Sequence, residues 1–382
     1  MTATGRISVP RLPRRLVHRP RLLERLHASI GNGLTVLQAP AGYGKTTLIA
    51  SFAAEVEFRP AWLSLDASAG APEVLAQQLA AALAGDREIE PPAVATKFSD
   101  LQAYIHAAAR RAADESGLPL LVIIDNVEEL ADGREAGALL VWLMEILPEG
   151  SEVILSGREL PFIPSVNARI ATGEITVLQA ADLAFDAAEI ASAITLTQST
   201  ATGSDIAART GGWPVAVMAS LVGGLAGDRL SAAAFDLYLQ SEVWGRVPEG
   251  LRNVLRRAVL SPSIERAAVE LDFGSSAWRS LTAWAASHDF LCEHLSPSEF
   301  RLVPLLRQFI VREFQRDDPD DYDAAIEHTI QVMVAAGDLR EAVEFARSAA
   351  SERILADVLE AHSPQLITHG DFTLLWRAFE CV

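Results

Sequence analysis

Lysine is nearly missing from this chain of 382 residues. Only Lys45 and Lys97 occur, and arginine carries almost all the remaining positive charge. A lysine kept in such a composition marks a place where a compact ammonium on a thin stem does what a planar guanidinium does not. Cysteine is almost as scarce. Cys292 and Cys381 offer no disulfide framework and no metal-ligand cluster, which suits a reducing cytoplasm. Long apolar runs are lacking too. A stretch such as Leu120–Ile124 is far short of the ~20 residues a membrane span requires, and Met1–Arg25 has no apolar core of a signal peptide. A cytoplasmic protein with no membrane partner is expected. Positive charge is in deficit, with 32 basic against 50 acidic residues and a net charge of −18, whereas a free-standing nucleic-acid binder more often carries a basic surface. Arg6, Arg11, Arg14, Arg15, Arg19, Arg21 and Arg25 do crowd the N-terminus. They can touch DNA, hold nucleotide or dock against the acidic body; without interleaved aromatics the last two are favoured. No Ser–His–Asp or Cys–His arrangement stands out, and His288 and His294 read as fold or surface residues.

Half the residues are hydrophobic and the length predicts two or three folded domains. Lys45 lies in Ala39-Pro40-Ala41-Gly42-Tyr43-Gly44-Lys45-Thr46-Thr47. The spacing is that of a P-loop, with Ala39 where the first glycine usually stands. Gly42 and Gly44 let the backbone turn tightly so that successive N–H groups face phosphate oxygens, Lys45 fits between the β- and γ-phosphates, and Thr46 offers a hydroxyl to Mg²⁺. Leu34–Gln38 before it reads as a short buried strand. Thr46–Ala54 after it reads as a helix whose N-terminus attracts phosphate.

Further along, Arg59–Asp66, Leu120–Asp125, Glu152–Ser156 and Ile175–Leu178 read as strands. Pro72–Leu83, Asp100–Ala113 and Arg134–Leu147 read as helices between them. The alternation predicts a parallel sheet covered on both faces, with ligand at the carboxyl ends of the strands, where the P-loop, Asp125 and Arg158 lie. From Asp182 onward the chain turns helical: Asp186–Thr195, Gly203–Thr210, Val215–Val222, Glu249–Leu260, Ile264–Leu271 and Ser275–Ser287. A hairpin, Phe290–Leu295 with Glu299–Val303, then precedes a helix from Leu305 to Phe314, the outline of a winged helix. Asp317–Asp321 is an acidic linker or helix cap. The tail reads as helical pairs turning near Gly337 and Gly370, in mid-pattern at Ala378–Val382, as in a longer parent protein.

Asp125 ends an apolar strand as a Walker B carboxylate does, positioned to hold Mg²⁺ opposite Thr46; the alternative is a helix cap. Asn126 follows where many such ATPases place a second carboxylate, and an amide cannot accept a proton at neutral pH. Glu128 or Glu129 is left as a candidate base. Arg158 can read a γ-phosphate or form an ordinary surface ion pair. Gly212-Trp213-Pro214 is a turn before a helix, with Pro214 suited to its first turn.

With these residues in view, the chain resembles the MalT-like branch of the STAND ATPases, large ATP-binding regulators that end in a LuxR-type DNA-binding domain. The likeness rests on Arg19–Leu26, Gln38–Leu48, Trp62–Asp66, Leu121–Asn126, Leu155–Arg158 and Gly211–Pro214. It implies an α/β P-loop NTPase with a five-stranded parallel sheet of the ASCE type at 1–180. A helical lid at 181–245, a winged helix at 246–316 and the start of a TPR-like helical-repeat region at 317–382 would follow. It implies that Val17 and Arg19 line the adenine side. Ala41, Gly42, Tyr43, Gly44, Lys45, Thr46 and Thr47 would cradle phosphate and Mg²⁺, Asp125 would be Walker B, Arg158 sensor 1, and Pro214 would pack on adenine. The implied function is a switch that rests with ADP and is activated by inducer and ATP, with self-association in the ATP form. DNA binding would belong to a C-terminal domain absent from these residues, and the inducer, a small molecule or protein, to missing C-terminal repeats. Two departures from the family pattern are Asn126 for a second acid and Val303 for a histidine before Pro304. The competing class is an AAA+-like motor or loader with continuous turnover, against which Asn126 and the winged-helix tail speak; a scaffold with a dead P-loop fits poorly with intact Lys45, Thr46 and Asp125.

Overall fold

The computed structural model describes residues 7–85, 98–130, 134–161, 163–224, 229–288, 291–349 and 352–379. Arg6, Lys97, Phe290 and Cys381 lie outside them. The chain forms two compact units, Met1–Ala232 and Ala233–Val382.

The first unit is built on five strands: β1 (Leu34–Gln38), β2 (Arg59–Ser64), β3 (Leu120–Asp125), β4 (Glu152–Gly157) and β5 (Thr176–Gln179). All pair in parallel, in the order β2-β3-β4-β1-β5. Every residue of β3 and β4 is buried. That is why Leu120–Ile124 and Val153–Leu155 read as unbroken apolar runs rather than alternating ones. Helices α1 (Pro20–Ala28), α2 (Lys45–Glu55), α3 (Pro72–Ala84), α4 (Phe98–Ser116), α5 (Arg134–Ile146) and α6 (Pro164–Ala171) accompany the sheet. Leu75, Leu79, Leu83, Ile105 and Leu139 pack with Leu63, Val122, Ile124 and Leu155 into one large core. β4 sits between β1 and β3, so the loop after β1 and the carboxylate ending β3 come to one sheet edge across one intervening strand. This is the ASCE strand order.

After β5, α7 (Ala180–Leu183), α8 (Ala187–Thr197), α9 (Gly203–Thr210) and α10 (Pro214–Gly224) follow. Ile190, Ala193, Ile206, Val217 and Leu221 make a smaller core with Val17. α8 begins with a reciprocal capping box. Asp186 accepts the Glu189 N–H at 2.8 Å and Glu189 accepts the Asp186 N–H at 3.1 Å. Helix α11 (Arg229–Glu242) has no counterpart in the sequence reading, nor does α6.

The second unit contains α12 (Glu249–Ala258), β6 (Ile264–Glu265), α13 (Arg266–Phe273), α14 (Ser275–Ser287), β7 (Cys292–Ser296), β8 (Glu299–Leu302) and α15 (Pro304–Asp317). The strands form an antiparallel sheet in the order β6-β8-β7, giving the expected winged helix. One boundary needs correction. The sequence predicts a helix from Ile264, yet Ile264 pairs with Phe300 in a third strand, and α13 begins two residues later. Two residues carry too little periodicity to be seen as a strand; the neighbouring strand supplies the order. Four helices complete the unit: α16 (Pro319–Ala336), α17 (Leu339–Ser348), α18 (Glu352–His369) and α19 (Phe372–Phe379). Asp318 caps α16 by accepting the Asp321 N–H at 3.2 Å, and Gly337 closes it at φ 92°. Ile326, Ile330, Val343, Leu355 and Leu359 hold these helices together. Among the described residues, no helix is long and apolar enough to cross a membrane.

Candidate functional site

The loop between β1 and α2 is shaped by two left-handed glycines, Gly42 at φ 80° and Gly44 at φ 74°. A side chain at either position carries a steric cost that glycine avoids. Gly44 is also the N-cap of α2, so the helix begins at Lys45. The Lys45 ammonium turns back over the loop and donates to the carbonyls of Ala39 and, at 3.0 Å, Pro40. Burial pulls its pKa down to about 8; Asp125 and Glu128 oppose that and Arg158 adds to it.

Thr46 and Asp125 stand 79 positions apart in the chain, and the Thr46 hydroxyl donates to Asp125 Oδ2 at 2.7 Å. The other carboxylate oxygen accepts the Asn126 N–H at 3.1 Å. A hydroxyl and a carboxylate at this separation form a hard-oxygen pair suited to Mg²⁺. Asn126 itself lies at φ 61°, the left-handed region that asparagine tolerates, and its amide donates to Leu65 O at 3.4 Å. Glu128 accepts the Arg158 main-chain N–H at 3.0 Å and lies 3.5 Å from the Arg158 guanidinium. The Ser156 hydroxyl, on β4 in register with Asp125, is fully buried without a hydrogen-bond partner. A buried hydroxyl in register with a carboxylate adds a polar group that a hydrated cation or phosphate can engage.

Beside the loop lies a cavity of about 230 Å³ lined by residues that include Val17, Arg19, Gly44, Thr47, Leu48, Pro214 and Met218. Its walls combine apolar side chains with the first turn of α2, a form that accepts a flat apolar ring next to a phosphate group. Arg19 also borders the cavity. Its guanidinium is buried and engaged: it meets Glu189 at 3.2 Å, Leu183 O at 2.7 Å and Tyr43 O at 3.3 Å, and lies 5.0 Å from the Phe185 ring centroid. Desolvation lowers its pKa, against the raising influence of Glu189. Arg21 also reaches Glu189, at 3.0 Å, and Arg25 reaches Asp182 at 2.6 Å. The N-terminal arginines 19, 21 and 25 therefore dock against acids of the first unit.

The Gly211–Pro214 turn reaches the same loop. Gly212 is left-handed at φ 75°, and a Cβ there would stand 2.7 Å from Phe185 O. The buried Trp213 donates its indole N–H to Ala41 O at 3.1 Å, and the Val215 N–H donates to Gly42 O at 3.1 Å.

Over 408 aligned residues, which cover 98% of this chain and 44% of the other, the sequence is 27% identical to the HTH-type transcriptional regulator MalT of Yersinia enterocolitica. MalT of Yersinia pestis matches at 27% identity over 403 residues. The chain is thus similar in sequence to MalT along almost its whole length. It spans less than half the length of these curated relatives. No family model matches it. Among solved structures, a Walker-type ATPase of Pyrococcus abyssi superposes with a TM-score of 0.54 at 14% identity, over 79% of this chain and 98% of that one, a likeness of fold.

The tertiary structure gathers the sequence-selected residues into two adjoining groups. Lys45, Thr46, Asp125, Glu128 and Arg158 lie at the sheet edge; Val17, Arg19, Gly44, Thr47 and Pro214 line the cavity. Ala41, Gly42 and Tyr43 offer their carbonyls to donors from elsewhere in the unit. Sequence reasoning missed Ser156, Phe185, Glu189 and the donor role of Trp213. Only Glu189 left a trace, as the third position of a capping box after Asp186.

Proposed function

We propose that this chain is the nucleotide-binding core of a signal-transduction switch in a MalT-like transcription regulator, with ADP in the resting form and ATP in the active one. The observation that carries the reading is the Thr46–Asp125 hydrogen bond, which joins the P-loop helix to the end of β3 beside the cavity. Lys45 would neutralise the β- and γ-phosphates, and Thr46 and Asp125 would hold Mg²⁺ between them. Val17 and Pro214 would border the adenine, and Arg158 would meet a γ-phosphate at the price of its pairing with Glu128. Bound nucleotide and Mg²⁺ supply the phosphoanhydride and its charge neutralisation; the chain's own residues orient the phosphates and exclude water from the base. Hydrolysis is slow at most: Asn126 brings no second carboxylate to the end of β3, and Glu128, the remaining candidate base, is engaged by the main-chain N–H and guanidinium of Arg158.

The proposed division is a nucleotide-binding domain over 1–180, a helical lid over 181–245, a winged helix over 246–316 and TPR-like hairpins from 317 onward. DNA recognition, inducer binding and self-association in the ATP form would depend on segments that the longer relatives possess. The core site is tested by calorimetry with ADP and ATP on the wild type and on Lys45→Ala. Loss of binding in the variant is expected, and equal affinities would sink the site assignment.

A further inference from the structure

Three consecutive carbonyls of the phosphate loop are each held by a donor from outside it. Ala41 O takes the Trp213 indole N–H, Gly42 O takes the Val215 main-chain N–H, and Tyr43 O takes the Arg19 guanidinium. All described peptides are trans. In a trans peptide the C=O of one residue and the N–H of the next point in opposite directions. Turning the carbonyls of Ala41, Gly42 and Tyr43 outward therefore turns the N–H groups of Gly42, Tyr43 and Gly44 the other way. The left-handed Gly42 and Gly44 complete the alternation that makes successive N–H groups an anion nest.

We infer that Trp213 and Val215 are positioning residues for this nest: the turn before α10 holds the phosphate loop in its anion-binding form, and a polyphosphate in the loop in turn seats that turn. Buried indole N–H groups usually find a partner, and Trp213 finds one 172 positions away rather than in its own segment. The Val215 N–H belongs to the first turn of α10, where no partner exists within the helix, so Gly42 O satisfies it. Pro214 between them has no N–H, so the donors on either side of it reach the loop. Behind the turn, Gly212 packs against Phe185, whose N–H donates to Gly212 O at 2.8 Å, which leaves the turn little room to retreat. Each end stabilises the other, so the coupling is reciprocal.

This inference rests on the nucleotide reading above and deepens it. The test compares binding of ADP and of inorganic tripolyphosphate, each with Mg²⁺, to the wild type and to Trp213→Phe, which keeps an aromatic ring and removes the donor. Both ligands should weaken by a similar factor, about three- to tenfold, the equivalent of one ordinary hydrogen bond. Weaker ADP binding with unchanged tripolyphosphate binding would place Trp213 on the base side and overturn the inference. Unchanged binding of both would do the same. A wild type that binds neither ligand would overturn the nucleotide reading itself, a distinguishable failure. Hydrogen exchange on the wild type needs no variant: tripolyphosphate should slow exchange at Val215 together with residues 41–47. Protection confined to 41–47 would mean that the turn does not sense the loop.

Discussion

The Glu128 carboxylate accepts the main-chain N–H of Arg158 at 3.0 Å, so the first acid after Asp125 is anchored to the end of the neighbouring strand. Asn126 turns its amide toward Leu65 O instead. Glu128 is thus the better-placed candidate base. Glu128→Gln should slow single-turnover ATP hydrolysis about 10²-fold or more, the usual range for a general base, while ADP affinity stays near wild type. Asn126→Asp should change the rate little, because the new carboxylate would face a carbonyl oxygen. Quench-flow with labelled ATP decides; acceleration in Asn126→Asp with no loss in Glu128→Gln would reverse the assignment.

Gly157 gives Glu128 its room. A Cβ at Gly157 would stand 2.6 Å from Glu128 Oε2 and 2.7 Å from Val127 Cγ2, both far inside contact distance. The carboxylate end can swing away, but buried Val127 cannot. Gly157→Ala should therefore cost about 1–3 kcal/mol, the usual range for overpacking, and also loosen the Glu128–Arg158 pair. Urea unfolding of the two proteins measures it, and an unchanged midpoint would mean that β4 shifts freely.

Lys45 should make polyphosphate binding depend on pH. Its folded-state pKa is lowered to about 8 by burial, and a bound polyanion favours the charged form. Below pH 8 the ammonium is present and binding is strongest. As pH rises through 8 the free protein loses that proton, so binding must recover it and affinity falls, by up to about tenfold per pH unit. Calorimetry of ADP binding in buffers of different ionisation enthalpy should show proton uptake near pH 8–9. Lys45→Arg should remove this uptake, because a guanidinium stays charged throughout.

The Arg19–Glu189 pair should be a strong stability determinant of the first unit. Both side chains are buried, at 7% and 5% exposure. Arg19→Met leaves Glu189 with Arg21 as its charge partner and should cost about 3 kcal/mol; Arg19→Met with Glu189→Gln should recover part of it, because no buried charge is then left short of a partner. A double-mutant cycle by chemical denaturation provides the measurement. Additive losses would show that the two residues act independently.

Much of the molecule was legible in the residues. β1, α9 and α14 fall where periodicity and glycine placement put them, because buried strands and capped helices carry local signals. β6 was not legible, since a strand of two residues exists only through its pairing with β8. Helix α6 was not legible, because Pro161, Pro164 and Asn167 read as turn signals across its start. Asn126 was read as a missing acid, yet it occupies a left-handed position at the end of β3, a backbone demand visible only once the turn is built.

By itself the sequence determined the local chemistry: a glycine-shaped loop before a helix, a carboxylate closing an apolar strand, an arginine two residues beyond another strand. Each of these is a short-range pattern, written in neighbouring residues. Only the tertiary structure decided which groups meet. The β2-β3-β4-β1-β5 order brings Asp125 to Thr46 and Glu128 to Arg158, and the packing of α8–α10 carries Trp213, Val215 and Glu189 to the loop or to Arg19. The physical reason is that hydrogen bonds and buried ion pairs between distant segments depend on strand order and core packing, which no window of the chain contains.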